Sequence, residues 1–187
     1  LSEERVNYAC SKILEAKFKL GLFENRFVDE NDISKKIFNQ YHTETALKLA
    51  RQGIVLLKNN DVLPLRSPKD SKNRILVTGP NANNQSILGD WHSAQPDENV
   101  YTVFEGIKKI GTEMGYLVDY HDSNENIKRI SENDINKTIE VASEYDMVVL
   151  VIGDNSMRYK WNQKTAGENT ARAELNLAGK QLDLAMR

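Results

Sequence analysis

From Arg74 onward the chain alternates short apolar runs with amphipathic helical stripes, and that order leaves few folds open. Ile75 to Thr78 reads as a first strand, stopped by Gly79-Pro80-Asn81. Thr102 and Glu105 stand at capping-box spacing before a helix with Val103, Ile107 and Ile110 inward. Leu117 to Tyr120 reads as a second strand, and Ser131 to Ala142 as a helix with Ile135, Ile139 and Ala142 inward. Met147 to Ile152 is apolar without interruption, which predicts a third strand buried on both faces. This alternation predicts right-handed crossovers and a parallel sheet covered by helices on both faces.

The residues before Arg74 follow another pattern. Ser2 is placed to cap a helix whose first turn holds Glu3 and Glu4, favourable at a positive dipole end. Its apolar stripe is Val6, Ala9, Cys10, Ile13, Leu14 and Phe18, and Gly21 ends it. Cys10 lies on that stripe and is expected to be a buried, inert thiol. Leu22 to Phe38 reads as a connector. A second helix is expected from about Thr43, with Ala46, Leu47, Ala50, Ile54 and Leu57 inward. NNDVLPL then makes a turn and SPKDSKN a polar link.

Composition removes several function classes. The 187 residues carry 25 Lys and Arg against 27 Asp and Glu, a net charge of -2. No basic excess draws in nucleic acid or anionic lipid. No apolar run approaches the roughly 20 residues of a membrane helix. The single cysteine excludes an internal disulfide. LSEERVNYAC lacks the basic, apolar, small order of a signal peptide, and Leu182 to Arg187 begins a helix with no C-cap glycine. The chain is therefore expected to be a piece of a longer protein.

Chemistry is expected in three loops at the carboxyl edge of the sheet: Gly79 to Trp91, His121 to Asn126, and Gly153 to Arg172. Ligands of open parallel sheets sit beyond the carboxyl ends of the strands. The third loop is about twenty polar residues long, the kind of length that marks binding loops and lids. Glu168 follows Gly167 there and is the best candidate acid, with Arg172 four residues on and Trp161 nearby. Asp154, at the strand end, is expected to bond loop amides. Trp91 and Trp161 are ordinarily core residues, but their place in edge loops suits a sugar-stacking platform. GPNANNQS lacks the G-x-G-x-x-G and GK[ST] spacings of a phosphate cradle, and Pro80 removes a donor. His42, His92 and His121 have no metal-ligand spacing, no serine sits in a G-x-S-x-G elbow, and no cofactor is called for.

Four stretches, in order, resemble glycoside hydrolase family 3, the β-glucosidase and β-xylosidase family. They are Arg5-Val6-Asn7 through Leu20-Gly21-Leu22-Phe23-Glu24, and Ala50 to Asn59 with Leu63-Pro64-Leu65. The third is Ile75 to Asn81 with Leu88-Gly89-Asp90-Trp91, and the fourth runs from Gly167-Glu168 through Arg172 and Leu175 to Gln181. The resemblance implies a three-layer α/β sandwich with a mainly parallel sheet, partial here and preceded by helices from the end of a (β/α)8 barrel and its linker. Residues 1–27 would be the last barrel helix, 28–73 the linker and connecting helix, and 74–187 the N-terminal part of the sandwich domain.

The resemblance also implies a retaining exo-acting β-glycosidase. Glu168 falls on the general acid/base of many family members, and Trp91 near an aromatic that borders the leaving sugar in some. Asp90, Trp161 and Arg172 are the further candidate substrate-binding residues. The nucleophilic aspartate of the family lies upstream of residue 1. Ala171 and Ala178 depart from the family's common Asp and Pro. The implied partners are a β-linked oligosaccharide or glycoside and either the rest of the parent chain or a second copy. The resemblance implies a periplasmic or secreted parent. Two rival readings stand beside it: a non-catalytic scaffold or sugar-binding module, and a flavodoxin-like nucleotide-binding domain.

Overall fold

A computed structural model describes residues 1–66 and 73–187; of the polar link SPKDSKN only Asn73 lies among the described residues. The chain divides into two units, Leu1–Asp61 and Val62–Arg187.

In the first unit, α1 spans Glu3–Lys19, and the Ser2 side chain accepts the Arg5 N–H as its N-cap. At its end Gly21 takes φ +66°, while the Leu20 and Leu22 N–H groups satisfy the carbonyls of Ala16 and Lys17. No residue of α1 is buried, and the thiol of Cys10 is exposed, contrary to the expected burial. The stripe has the right period, but this unit supplies nothing opposite it. A short helix α2 follows at Ile33–Lys36, inside the expected connector. The next helix, α3, spans Gln40–Gly53, with Asn39 as its N-cap. It ends four residues before Leu57, because Ile54 turns extended with ψ 124°. Gly53 followed by the β-branched pair Ile54-Val55 offers little to continue a helix.

The second unit carries the α/β layers. Its elements are β1 Arg74–Thr78, α4 Val103–Glu113, β2 Leu117–His121, α5 Glu132–Ala142, β3 Met147–Leu150 and α6 Gln181–Met186. Two capping boxes start its longer helices. Thr102 and Glu105 exchange bonds at the head of α4, and Ser131 and Asp134 do so at α5. The three strands are parallel in the order β2-β1-β3, with Ile75 opposite Val118 and Met147.

β1 is the central strand, with Ile75, Leu76 and Val77 fully buried. β3, expected to be covered on both faces, lies at the edge of the sheet as described, and its Val148 is 43% exposed. Phe104 and Ile107 of α4 pack with Ile75, Val77 and Val118, while Ile135 and Ile139 of α5 pack with Ile130, Leu150 and Leu184. These two clusters are the two faces of a three-layer α/β arrangement. Ile110, expected inward, is exposed instead. Gly111 is the residue that meets the sheet: a Cβ there would fall 2.7 Å from Val118 Cγ2.

The strand order places the site. From β1 the chain moves outward through α4 to β2, then returns through α5 to β3 on the other side of β1. The loops leaving β1 and β3 therefore diverge from adjacent strand ends and open a crevice between them.

Candidate functional site

The crevice begins with a close approach of backbones. Gly79 leaves β1 at φ +109°, and a Cβ on it would lie 2.3 Å from the Val151 carbonyl oxygen. The Asn81 amide then ties the two loops together, donating to the Gly153 carbonyl at 3.1 Å and accepting from Asn155 Nδ2 at 3.2 Å. On the other side Gln181, fully buried, accepts the Gly153 N–H at 2.9 Å and donates to the Ala178 carbonyl. Both ends of the long loop after β3 are thus held at one point, Gly153.

The loop itself is folded back rather than structureless. The Asn155 carbonyl accepts the N–H groups of Thr165 and Ala166, and the Asn155 N–H donates to Thr165 Oγ1 at 2.9 Å. A kinked 3-10 stretch, Arg158–Gln163, fills the space between, over the buried Met157. The loop after β2 braces it, through a Lys160–Glu125 ion pair and a bond from Lys128 Nζ to the Asn162 carbonyl.

Glu168 is fixed at three atoms. Its N–H donates to Asp90 Oδ2 at 2.9 Å, its carbonyl accepts from Lys164 Nζ at 2.7 Å, and its Oε2 pairs with Arg158 Nη2 at 2.9 Å. The backbone on either side is left-handed, with φ +87° at Gly167 and +59° at Asn169. Gly167 is the more constrained position, because a Cβ there would stand 2.3 Å from Asp90 Oδ2.

Asp90 is the hub of the arrangement. Besides Glu168, it accepts the Trp91 N–H at 2.9 Å and pairs with Arg158 Nη1 at 3.3 Å. The backbone N–H groups of Glu168 and Trp91, with the nearby cations Lys164 and Arg158, hold its carboxyl below the usual carboxylate range. Lys164 is almost wholly buried, 4.0 Å from Asp90 and 4.1 Å over the Trp161 ring. The Arg158 guanidinium lies 4.4 Å over the Trp91 ring and 5.5 Å from that of Trp161. Trp91 itself takes φ +59° and is 75% exposed. The result is a partly exposed carboxyl and an exposed indole, both held by Arg158 beyond the carboxyl ends of β1 and β3. Such a site can stack an apolar ring face and exchange a proton with an atom that ring carries.

Four expected residues, Glu168, Asp90, Trp91 and Trp161, are gathered here. Arg172 is placed elsewhere: it pairs with Asp154 and donates to the Asn176 carbonyl. Asp154, expected to bond loop amides, is committed to that ion pair. Neither tryptophan is a core residue, since Trp161 is 47% exposed. Arg158 and Lys164 were not anticipated. The available signal is their spacing, each three residues from Trp161, which brings two cations to one aromatic ring. Among the described residues no group of three or more His, Cys, Asp or Glu side chains is placed to hold a metal ion.

Comparison with known proteins places this geometry in context. A model of the glycosyl hydrolase family 3 C-terminal domain matches residues 54–187. The β-xylosidase of Formosa agariphila is 32% identical over 188 residues, covering 96% of this chain and 24% of that protein. The periplasmic β-glucosidase of Salmonella typhimurium is 25% identical, covering 94% of this chain and 25% of that protein. Among solved structures, β-glucosidase from Listeria innocua in complex with glucose superposes with a TM-score of 0.77 at 26% identity, covering 99% of this chain and 23% of that one. The chain spans about a quarter of the length of these relatives.

Proposed function

The chain belongs to glycosyl hydrolase family 3, and on that membership we propose that it supplies one side of the active site of a retaining, exo-acting β-glycosidase. The substrate is a terminal β-linked sugar, a β-glucoside first of all. Relatives named β-xylosidase and β-glucosidase, and a neighbour solved with glucose, support that class. The observation that carries the reading is that one guanidinium, that of Arg158, meets both the Glu168 carboxyl and the exposed Trp91 ring.

A retaining glycosidase needs two carboxyl groups about 5–5.5 Å apart across the scissile bond. Glu168 takes the acid/base role: it protonates the leaving oxygen, then removes a proton from the water that releases the sugar. Arg158 holds Oε2, so the glycosidic oxygen meets Oε1. Trp91 receives the leaving sugar on its open face, with Trp161 at the rim. The nucleophilic aspartate comes from a part of the protein outside these residues. In this reading residues 1–27 end a barrel, 28–73 link it, and 74–187 begin the sandwich.

One observation favours the rival of a sugar-binding surface without catalysis: Glu168 is committed to an ion pair with Arg158. The same experiment separates the two. In the intact protein, Glu168→Gln is expected to slow hydrolysis of disaccharides by roughly 100-fold or more, the usual worth of general acid/base catalysis. Aryl glycosides with good leaving groups are expected to lose less in the step that forms the glycosyl-enzyme, and azide to restore turnover by replacing the activated water. Equal, small losses for every leaving group would leave Glu168 a structural residue and the surface a binding module.

A further inference from the structure

The contacts of Glu168 and Trp91 share one element, and the acid/base reading uses only its bond to Glu168 Oε2. A single guanidinium, that of Arg158, donates through Nη2 to Glu168 Oε2 at 2.9 Å and through Nη1 to Asp90 Oδ1 at 3.3 Å. Its Cζ also lies over the Trp91 ring, 4.4 Å from the centroid. We propose that Arg158 is a positioning residue that sets the acid/base carboxyl and the leaving-sugar platform as one unit. This rests on the reading of Glu168 as the acid/base.

The physical case has three parts. First, the backbone of Glu168 is held independently, by Asp90 at its N–H and by Lys164 at its carbonyl, yet neither contact orients the carboxyl. Arg158 is the partner that orients it. Second, Trp91 is 75% exposed, so core packing does not fix its indole. Its backbone is anchored by the N–H bond to Asp90, and its ring rests on Arg158. Third, the task needs a planar fork. Two terminal nitrogens reach two different carboxylates while the guanidinium carbon stays over an indole, and a lysine ammonium, a compact point charge, has no planar fork to hold both carboxylates in fixed directions.

Charge balance agrees with this arrangement. Two carboxylates, Asp90 and Glu168, meet two cations, Arg158 and Lys164, and Lys164 is drawn to Asp90 and the Trp161 ring rather than to the Glu168 carboxyl. Removing Arg158 therefore leaves Lys164 where it is and frees the Glu168 side chain and the Trp91 indole together. The loss is one of geometry at the reacting centre, where displacement of about 1 Å costs on the order of 100-fold in rate.

The test uses the intact protein with a β-linked disaccharide and an aryl β-glycoside carrying a good leaving group. Arg158→Met is expected to lower kcat on the disaccharide by about 10- to 100-fold, raise its KM, and affect the aryl glycoside less in both. Arg158→Lys is expected to resemble Arg158→Met rather than the parent. In Arg158→Ala, added methylguanidinium is expected to restore part of kcat, which repair of folding alone would not do. Double-mutant cycles of Arg158→Met with Trp91→Ala and with Glu168→Gln are expected to be non-additive in both cases. Full activity in Arg158→Lys, no response to methylguanidinium, or additivity in both cycles would overturn the proposal while a severe Glu168→Gln defect leaves the acid/base reading standing. An intact Glu168→Gln enzyme would overturn both. If Arg158→Met does not fold, the lysine variant and the methylguanidinium response decide.

Discussion

Substituting alanine for Gly79 puts the crevice under direct load. Gly79 has φ +109°, a region costly to an L-residue, which alone amounts to about 1–2 kcal/mol. The added Cβ would also lie 2.3 Å from the Val151 oxygen, 2.7 Å from its nitrogen and 2.8 Å from its carbonyl carbon. No flexible side chain can yield there, so β1 and the segment after β3 must part. That movement strains the bond from the Val151 N–H to the Thr78 carbonyl, 2.8 Å, and that from the Asn81 N–H to the Val151 carbonyl, 3.3 Å. At about 1 kcal/mol for each backbone bond, the total comes to roughly 3–4 kcal/mol. Gly89→Ala is the matched control: its φ is +76°, but nothing lies within 4 Å of the new Cβ. It should cost only the conformational part, about 1–2 kcal/mol. Urea unfolding of both variants, compared at equal m-values, measures the difference. Equal losses in the two variants would refute the view that a rigid backbone approach holds the two site loops together.

Other consequences are more local. Trp91→Ala in the intact protein is expected to weaken disaccharide binding by on the order of 1 kcal/mol, about fivefold, with a smaller effect on aryl monoglycosides; inhibition constants against both ligands read it, and equal effects would contradict a leaving-sugar platform. Asp90 binds its partners as a carboxylate, and its folded value lies below the ordinary 3.8. Its contribution is therefore fully present above that ordinary value and lost as pH falls through the lower folded one. Tryptophan fluorescence on acid titration should show the loop releasing only in that window, and Asp90→Asn should abolish the transition. The 187-residue chain by itself exposes Val6, Ile13, Leu14 and Phe18 of α1, and Ile54, Val55, Leu56 and Leu57 beyond α3. Sedimentation velocity is expected to show concentration-dependent association that Ile13→Glu with Phe18→Glu reduces; a monomer at every concentration would contradict it.

The strands and capped helices were legible because their signals are local. Thr102 with Glu105 carries a helix start in four residues, the stripe of Ile135, Ile139 and Ala142 carries the next helix, and the apolar runs around Ile75, Val118 and Val149 carry the strands. The order of those strands was not local, so β3 was expected at full cover and stands at the edge. Ile54 to Leu57 keep a helical period yet lie beyond the end of α3, where Ile54 is extended, since Gly53 and two β-branched residues outweigh spacing. At the site, Glu168 and Trp91 stood out through the family pattern and the loop chemistry. Arg158 and Lys164 did not, because a charged residue in a polar loop reads as solvated until two loops from separate strands close around it. Asp90 was visible only as a neighbour of Trp91. Its part as the acceptor joining both loops depends on a contact across 78 positions of sequence.

The distance from Glu168 to the nucleophile is the most direct measure of whether this chain brings the acid/base to a retaining glycosidase site. A crystal structure of the intact protein with a bound monosaccharide would give it. The expected result is an aspartate carboxyl about 5–5.5 Å from that of Glu168, on the opposite side of the anomeric carbon, with Trp91 facing the leaving-group side. A separation of about 6.5 Å or more, or a Glu168 carboxyl turned away from the sugar, would contradict it.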